Sequence, residues 1–188
     1  MSKLVFLIPM LVLALSMEVF AQRHNEFAGI PFGASRETVI EEVMKMGYEA
    51  YNVGGREQIP VFRFGELPVQ VDFIFNRNDK FYAFEIRTGR VEEARKSKVF
   101  EAIEYMSEQF TLKYGKPSGE PAVTEAKVHA GRNIYQEWYG VKTLNAATSI
   151  QMVGDKFFAV GVVENRTLSK ESVPQKKAKA KTSSTPVF

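Results

Sequence analysis

The sequence contains no cysteine, a single tryptophan and only two histidines among its 188 residues. Without thiols the chain can form no disulfide, no thiolate metal site, no thiol nucleophile and no lipid-modified N-terminal cysteine. Its fold must be held by the core alone. The histidines, His24 and His129, lie far apart with no HxxxH or HxH spacing, so they read as ordinary loop residues rather than metal ligands. No G-x-S-x-G or S-x-x-K occurs, which leaves Ser35, Ser97, Ser107, Ser118 and Ser149 without a sequence-readable base. The glycines are scattered as turn residues and make no phosphate-cradling run. Neither a cofactor nor a metal is expected.

Long apolar runs are equally scarce. The one present, Leu4 to Leu15, follows the single Lys3 and precedes Val19-Phe20-Ala21, which places Val19 and Ala21 at the positions a signal peptidase reads. About a dozen apolar residues fall short of the roughly 20 that cross a bilayer. Residues 1–21 are therefore expected to be a signal peptide, leaving a periplasmic or secreted chain without a transmembrane segment or lipid anchor.

Charge of one sign is lacking in the body, despite a formal net charge of +3. Lys3 and Glu18 of the leader cancel, and the tail from Ser169 carries Lys170, Lys176, Lys177, Lys179 and Lys181 against Glu171. Residues 22–168 then hold 19 basic and 20 acidic side chains, a net of −1, which gives no nucleic-acid footprint. The tail, residues 169–188, is rich in Lys, Ser, Ala and Pro and has no aromatic before Phe188. It cannot bury enough apolar surface to offset its ordering entropy and is expected to be disordered. It is suited to contact anionic envelope polymers, or simply to keep the chain soluble.

What is present is periodicity. After Phe27-Ala-Gly-Ile-Pro-Phe-Gly33, Ser35 is an N-cap candidate, and Val39, Ile40, Val43, Met44 and Met46 make a helical stripe ended by Gly47. Val69, Val71, Phe73 and Phe75 then alternate with Gln70, Asp72 and Ile74, a half-buried strand. A turn at Asn76-Arg-Asn-Asp79 would set Phe75 opposite Tyr82, Phe73 opposite Phe84 and Val71 opposite Ile86. Val61–Phe64 supplies an extra strand before them. Val99, Ile103, Met106, Phe110 and Tyr114 mark a long helix starting between Val91 and Ala94 and stopped by Gly115 and Pro117. Strands are expected at 133–141, 144–153 and 157–164.

Asp79-Lys-Phe-Tyr-Ala-Phe-Glu-Ile86 and Asp155-Lys-Phe-Phe-Ala-Val-Gly-Val162 share a D-K-F-aromatic-A pattern, each at the end of a helix-then-strands unit. This suggests an imperfect tandem αβββ repeat, halves about 27–90 and 91–168, though two hairpins can converge on one turn preference. Placing Phe158, Val160 and Val162 on the face of Ile150 and Met152 would need an odd-length loop or a bulge. The expectation is one α+β domain over residues 22–168, two-layered, with helices on one face of a largely antiparallel sheet.

The opener Phe27-x-Gly-Ile-Pro-Phe-Gly33-x-Ser35 and the helix end Leu112-Lys-Tyr-Gly-Lys-Pro117 together resemble a group of uncharacterised exported bacterial proteins. More distantly, the repeated layout looks like the β-lactamase-inhibitor-protein type of module, which includes the small lipoprotein of outer-membrane barrel assembly. This chain departs from that lipoprotein in having no cysteine to lipidate. The resemblance implies a binding module and carries no catalytic residues with it.

Two groups of residues remain as candidate sites. The first hairpin would place Asp72 opposite Glu85 and Gln70 opposite Arg87, with Arg63 joining from the next strand. Facing carboxylates could share a proton and work as acid and base on an envelope polysaccharide, or arginines could neutralise them on a solvated face. Trp138, between Glu137 and Tyr139, is either core or a flat recognition platform. The function these features favour is a non-enzymatic exported module that offers an open sheet face or an edge strand to an envelope protein or to itself. A hydrolase and an inhibitor of a periplasmic enzyme are the alternatives.

Overall fold

In a computed structural model of the protein, residues 25–171 other than Lys142 are described. The expected leader, His24 and the tail from Ser172 lie outside the described residues.

The opener forms two short paired strands, β1 (Glu26–Phe27) and β2 (Ile30–Pro31), followed by α1 (Arg36–Lys45). Ser35 caps α1, its Oγ accepting from the Thr38 N–H at 3.3 Å. The buried stripe of α1 is narrower than its periodicity suggests: Val39 and Val43 are buried, whereas Met44 is exposed. The chain then makes a meander of β3 (Tyr51–Val53), β4 (Arg56–Phe64), β5 (Leu67–Phe75) and β6 (Phe81–Arg87). A short β7 (Val91–Glu92) and a 3-10 turn lead into α2 (Lys96–Tyr114). A second meander follows, β8 (Gly131–Val141), β9 (Leu144–Val153) and β10 (Lys156–Asn165), closed by α3 (Arg166–Lys170). Ser169 and Lys170, expected to belong to the tail, instead complete α3.

The two meanders join edge to edge. The sheet order is β3-β4-β5-β6-β10-β9-β8, antiparallel throughout, with β7 also on β10. The last strand of the first meander therefore pairs with the last strand of the second, which makes one continuous sheet. Val39 and Val43 of α1, the α2 stripe Val99, Ile103, Met106, Phe110 and Tyr114, and the sheet residues Phe73, Phe84, Ile86, Ile150 and Val163 belong to a single buried cluster. The protein is α+β, with its helices on one face of a large antiparallel sheet.

Two registers differ from expectation. Phe73 faces Phe84 and Val71 faces Ile86, but a bulge sets Phe75 opposite Phe81 instead of Tyr82. An extra residue in one strand rotates the following side chains, so Phe81 joins the core beside Phe73, with ring centroids 5.4 Å apart. In β10 no odd loop or bulge is needed. A two-residue turn pairs Val153 with Lys156, and Phe157 and Ala159 face Met152 and Ile150. Phe158 and Val160 point to the other face, buried but outside the main cluster. The two D-K-F-aromatic-A segments are therefore in phase at Phe81 and Phe157, both buried, and out of phase beyond the first bulge. Gly161 follows from this geometry. It lies opposite Ile86, where an added Cβ would come within 2.9 Å of Phe110 Cζ and 3.0 Å of Ile86 Cγ1, so α2 can cross β10 only over a residue without a side chain.

Candidate functional site: the open face of the sheet

The residues alternating with the core pattern make up the opposite face, against which no helix packs among the described residues. Asp72 is its central charged group, only 1% exposed. Its Oδ1 accepts from Gln58 Nε2 at 2.8 Å and Gln70 Nε2 at 3.0 Å, and its Oδ2 accepts from the Arg87 guanidinium at 2.6 Å. The Arg56 guanidinium approaches the same oxygen at 3.5 Å. A buried carboxylate is tolerated only when paired and hydrogen-bonded, and the strand register supplies both: Gln58 is directly opposite Asp72, and Arg87 is one diagonal away.

The expected pairings of Asp72 with Glu85 and of Gln70 with Arg87 are present. Arg87 touches both carboxylates, with its Nε 3.2 Å from Glu85 Oε1, out of line for a hydrogen bond. Asp72 thus accepts from two fixed amides and a guanidinium, which leaves the pair bridged by a cation rather than set as free acid and base. Arg63 does not join them. The bulge between Ile59 and Phe62 carries it to Pro68, where it is exposed and makes no ion pair among the described residues. Its expected place is taken by Gln58 and Arg56.

Around this cluster the face is apolar and arginine-bearing. Ile74, Val162, Ala147 and Ile134 are half-buried on it, Arg132 is exposed at its far side, and the Arg90 guanidinium lies 5.5 Å from the ring centroid of Phe158. The edges are less available. β3 has three residues, and the stretch of β4 beyond it contains Pro60, which has no N–H to offer. Along β8, Ser118 N–H donates to Glu137 O at 2.7 Å and Ala122 N–H to Tyr135 O at 3.0 Å, while two bulges interrupt its register.

Trp138 is not on a surface. It is 1% exposed, packs edge-on against Phe110 at 5.5 Å and donates from Nε1 to Gly115 O at 2.9 Å. The ring serves the core, and its polar edge closes the end of α2. His129 belongs to the turn before β8, where its backbone N–H is held by Asn133 Oδ1 at 3.0 Å. No group of His, Asp and Glu that could hold a metal ion occurs among the described residues, and no helix there is long and apolar enough to cross a membrane.

A second polar cluster, which sequence reading missed, has a structural role. Arg36 donates from Nε to Asp79 at 2.8 Å and from Nη1 to Glu57 at 2.7 Å, and stacks over Phe75 at 4.1 Å. Burial works against the Arg36 charge, but the hydrogen bonds to Glu57 and Asp79 outweigh it and hold its pKa above the ordinary arginine value. The result is a clamp between the first turn of α1, β4 and the β5–β6 turn. Comparison with family models, with curated proteins and with solved structures finds no match for the chain, so its function is read from this geometry.

Proposed function

We propose that the chain is an exported binding module that presents the open face of its sheet to a protein of the envelope or to a second copy of itself. One observation carries this reading: a sheet covered by helices on one side leaves half-buried Ile74, Val162 and Ile134, flanked by Arg63 and Arg132, unsheltered on the other. Protein interfaces favour apolar centres with arginine, and a solvated face has no need of either. The bridging of Asp72 and Glu85 by Arg87 weighs against the hydrolase, because a general base needs a free acceptor within reach of the substrate proton. The blunted edges weigh against strand addition. An inhibitor is this same module with an enzyme as partner. Export rests on the leader residues, and Lys176, Lys177, Lys179 and Lys181 would add attraction to anionic polymers.

The test is affinity capture from an envelope extract on immobilised wild-type protein and on the double variant Arg63→Glu/Arg132→Glu. A single stoichiometric protein, or the chain itself, held by the wild type and lost by the variant supports the reading. Equal retention by both, or none by either, overturns it.

A further inference from the structure

On the helix-covered side, between the C-terminal half of α2, β1 and β4, lies an open cavity of about 370 Å³. Its lining includes the rings of Phe27, Phe62, Phe64, Phe84, Phe110 and Tyr114, all but Phe64 buried, together with the exposed Leu112. That volume lies toward the small end of the range for ligand sites, roughly 300–1,000 Å³, which are apolar clefts with a few placed polar groups. Here the placed group is Lys113, half-buried in the wall. Its Nζ donates to Glu26 O at 2.9 Å and lies 5.9 Å from the Tyr114 ring centroid. An ammonium has three donors, and Lys113 makes no ion pair among the described residues, although the Glu26 carboxylate is close enough to act on it electrostatically. Burial pulls the Lys113 pKa below the usual lysine value, the direction expected of a cation short of compensating charge.

We propose that this cavity binds a monoanionic amphiphile, whose apolar body packs against Leu112, Phe64 and the edges of the buried rings and whose carboxylate is held by the Lys113 ammonium. The Lys113 cation attracts an anion, and the nearby Glu26 carboxylate favours the smallest negative charge that can pair with it. A doubly charged phosphate monoester would meet Glu26 with an excess charge, and a cationic amphiphile would meet Lys113 itself. The site is separate from the open sheet face and does not depend on that face binding a protein.

Decanoate, decanol and decyltrimethylammonium, each below its micellar concentration, probe the site by calorimetric titration of the purified protein. Decanoate should bind at least tenfold more tightly than decanol, and the cation should not bind. Lys113→Met should bring decanoate to the level of decanol while leaving decanol unchanged, so decanol binding also reports that the variant is folded. Location is read separately. Phe110 lines the cavity and touches Trp138, the sole tryptophan, so a terminally brominated decanoate should quench its emission where decanoate does not. Equal affinity for decanoate and decanol in the wild type, absence of binding, a preference that survives Lys113→Met, or binding without bromine quenching would each overturn the proposal.

Discussion

Replacing Asp72 by alanine separates a structural hub from a catalytic acid. In the native state Oδ1 accepts two amide N–H groups and Oδ2 accepts the Arg87 guanidinium, on a carboxylate whose side chain is 2% exposed. Removing one partner of a buried ion pair costs about 3–5 kcal/mol, because the surviving charge keeps its desolvation without its compensation. Arg87 is 28% exposed and retains Glu85 nearby, which places the loss toward about 3 kcal/mol. Asp72→Asn keeps the shape and an acceptor and should lose less. In urea unfolding the midpoint should fall at unchanged slope, since the denatured state is the same. The double variant Asp72→Ala/Arg87→Ala should lose less than the sum of the single changes, with a coupling of about 1–3 kcal/mol. A loss below about 0.5 kcal/mol for Asp72→Ala, the scale of ordinary surface changes, would refute the hub and reopen the carboxylate pair to other roles.

Gly161→Ala should destabilise by about 1–3 kcal/mol through overpacking against Phe110 and Ile86, seen as a lower Tm in a thermal melt. Tyr114→Phe should be neutral or stabilising at pH 7, because the Tyr114 hydroxyl is buried without a hydrogen-bond partner. Burial, and then the nearby Glu26, push that hydroxyl above the usual tyrosine value. The unfolded chain therefore releases this proton first, so the contribution of Tyr114 to stability is level below about pH 10 and falls above it. Tyr114→Phe should flatten that alkaline limb in unfolding measured as a function of pH. Iodide should quench Trp138 weakly, and strong quenching would contradict its burial. Asn165 caps α3 by accepting from the Thr167 and Leu168 N–H groups, so Asn165→Ala should cost about 1 kcal/mol.

Periodicity made much of this fold legible. The step of four, three, four and four from Val99 to Tyr114 marks the buried stripe of α2, and Val69–Phe75 alternates as its strand does. The facing of Asp72 and Glu85 followed from the same alternation. What escaped was set by turns and bulges, where one residue changes every face after it. Gly54-Gly55, both at positive φ, closes the β3–β4 hairpin and could have been read as a two-residue turn. That reading would have extended β4 back to Arg56, although only the bulge between Ile59 and Phe62 sets Gln58 opposite Asp72. The bulge near Tyr82 and the in-phase pairing of β9 with β10 have no comparable signal, because Phe157, Phe158, Ala159 and Val160 are all buried. A strand apolar on both faces does not reveal which face meets the helices. Trp138 stands alone between polar neighbours on its strand, and its 1% exposure and packing on Phe110 make it core.

The claim that the open face is the contact surface is tested most directly by hydroxyl-radical footprinting of the protein in buffer and in an envelope extract, with oxidation read residue by residue. Ile74, Ile134 and Val162 should be oxidised in buffer and several-fold less in the extract, while Met44, exposed on α1 away from that face, should be equally reactive in both. Unchanged oxidation at the three open-face residues, or protection confined to Met44, would contradict the account.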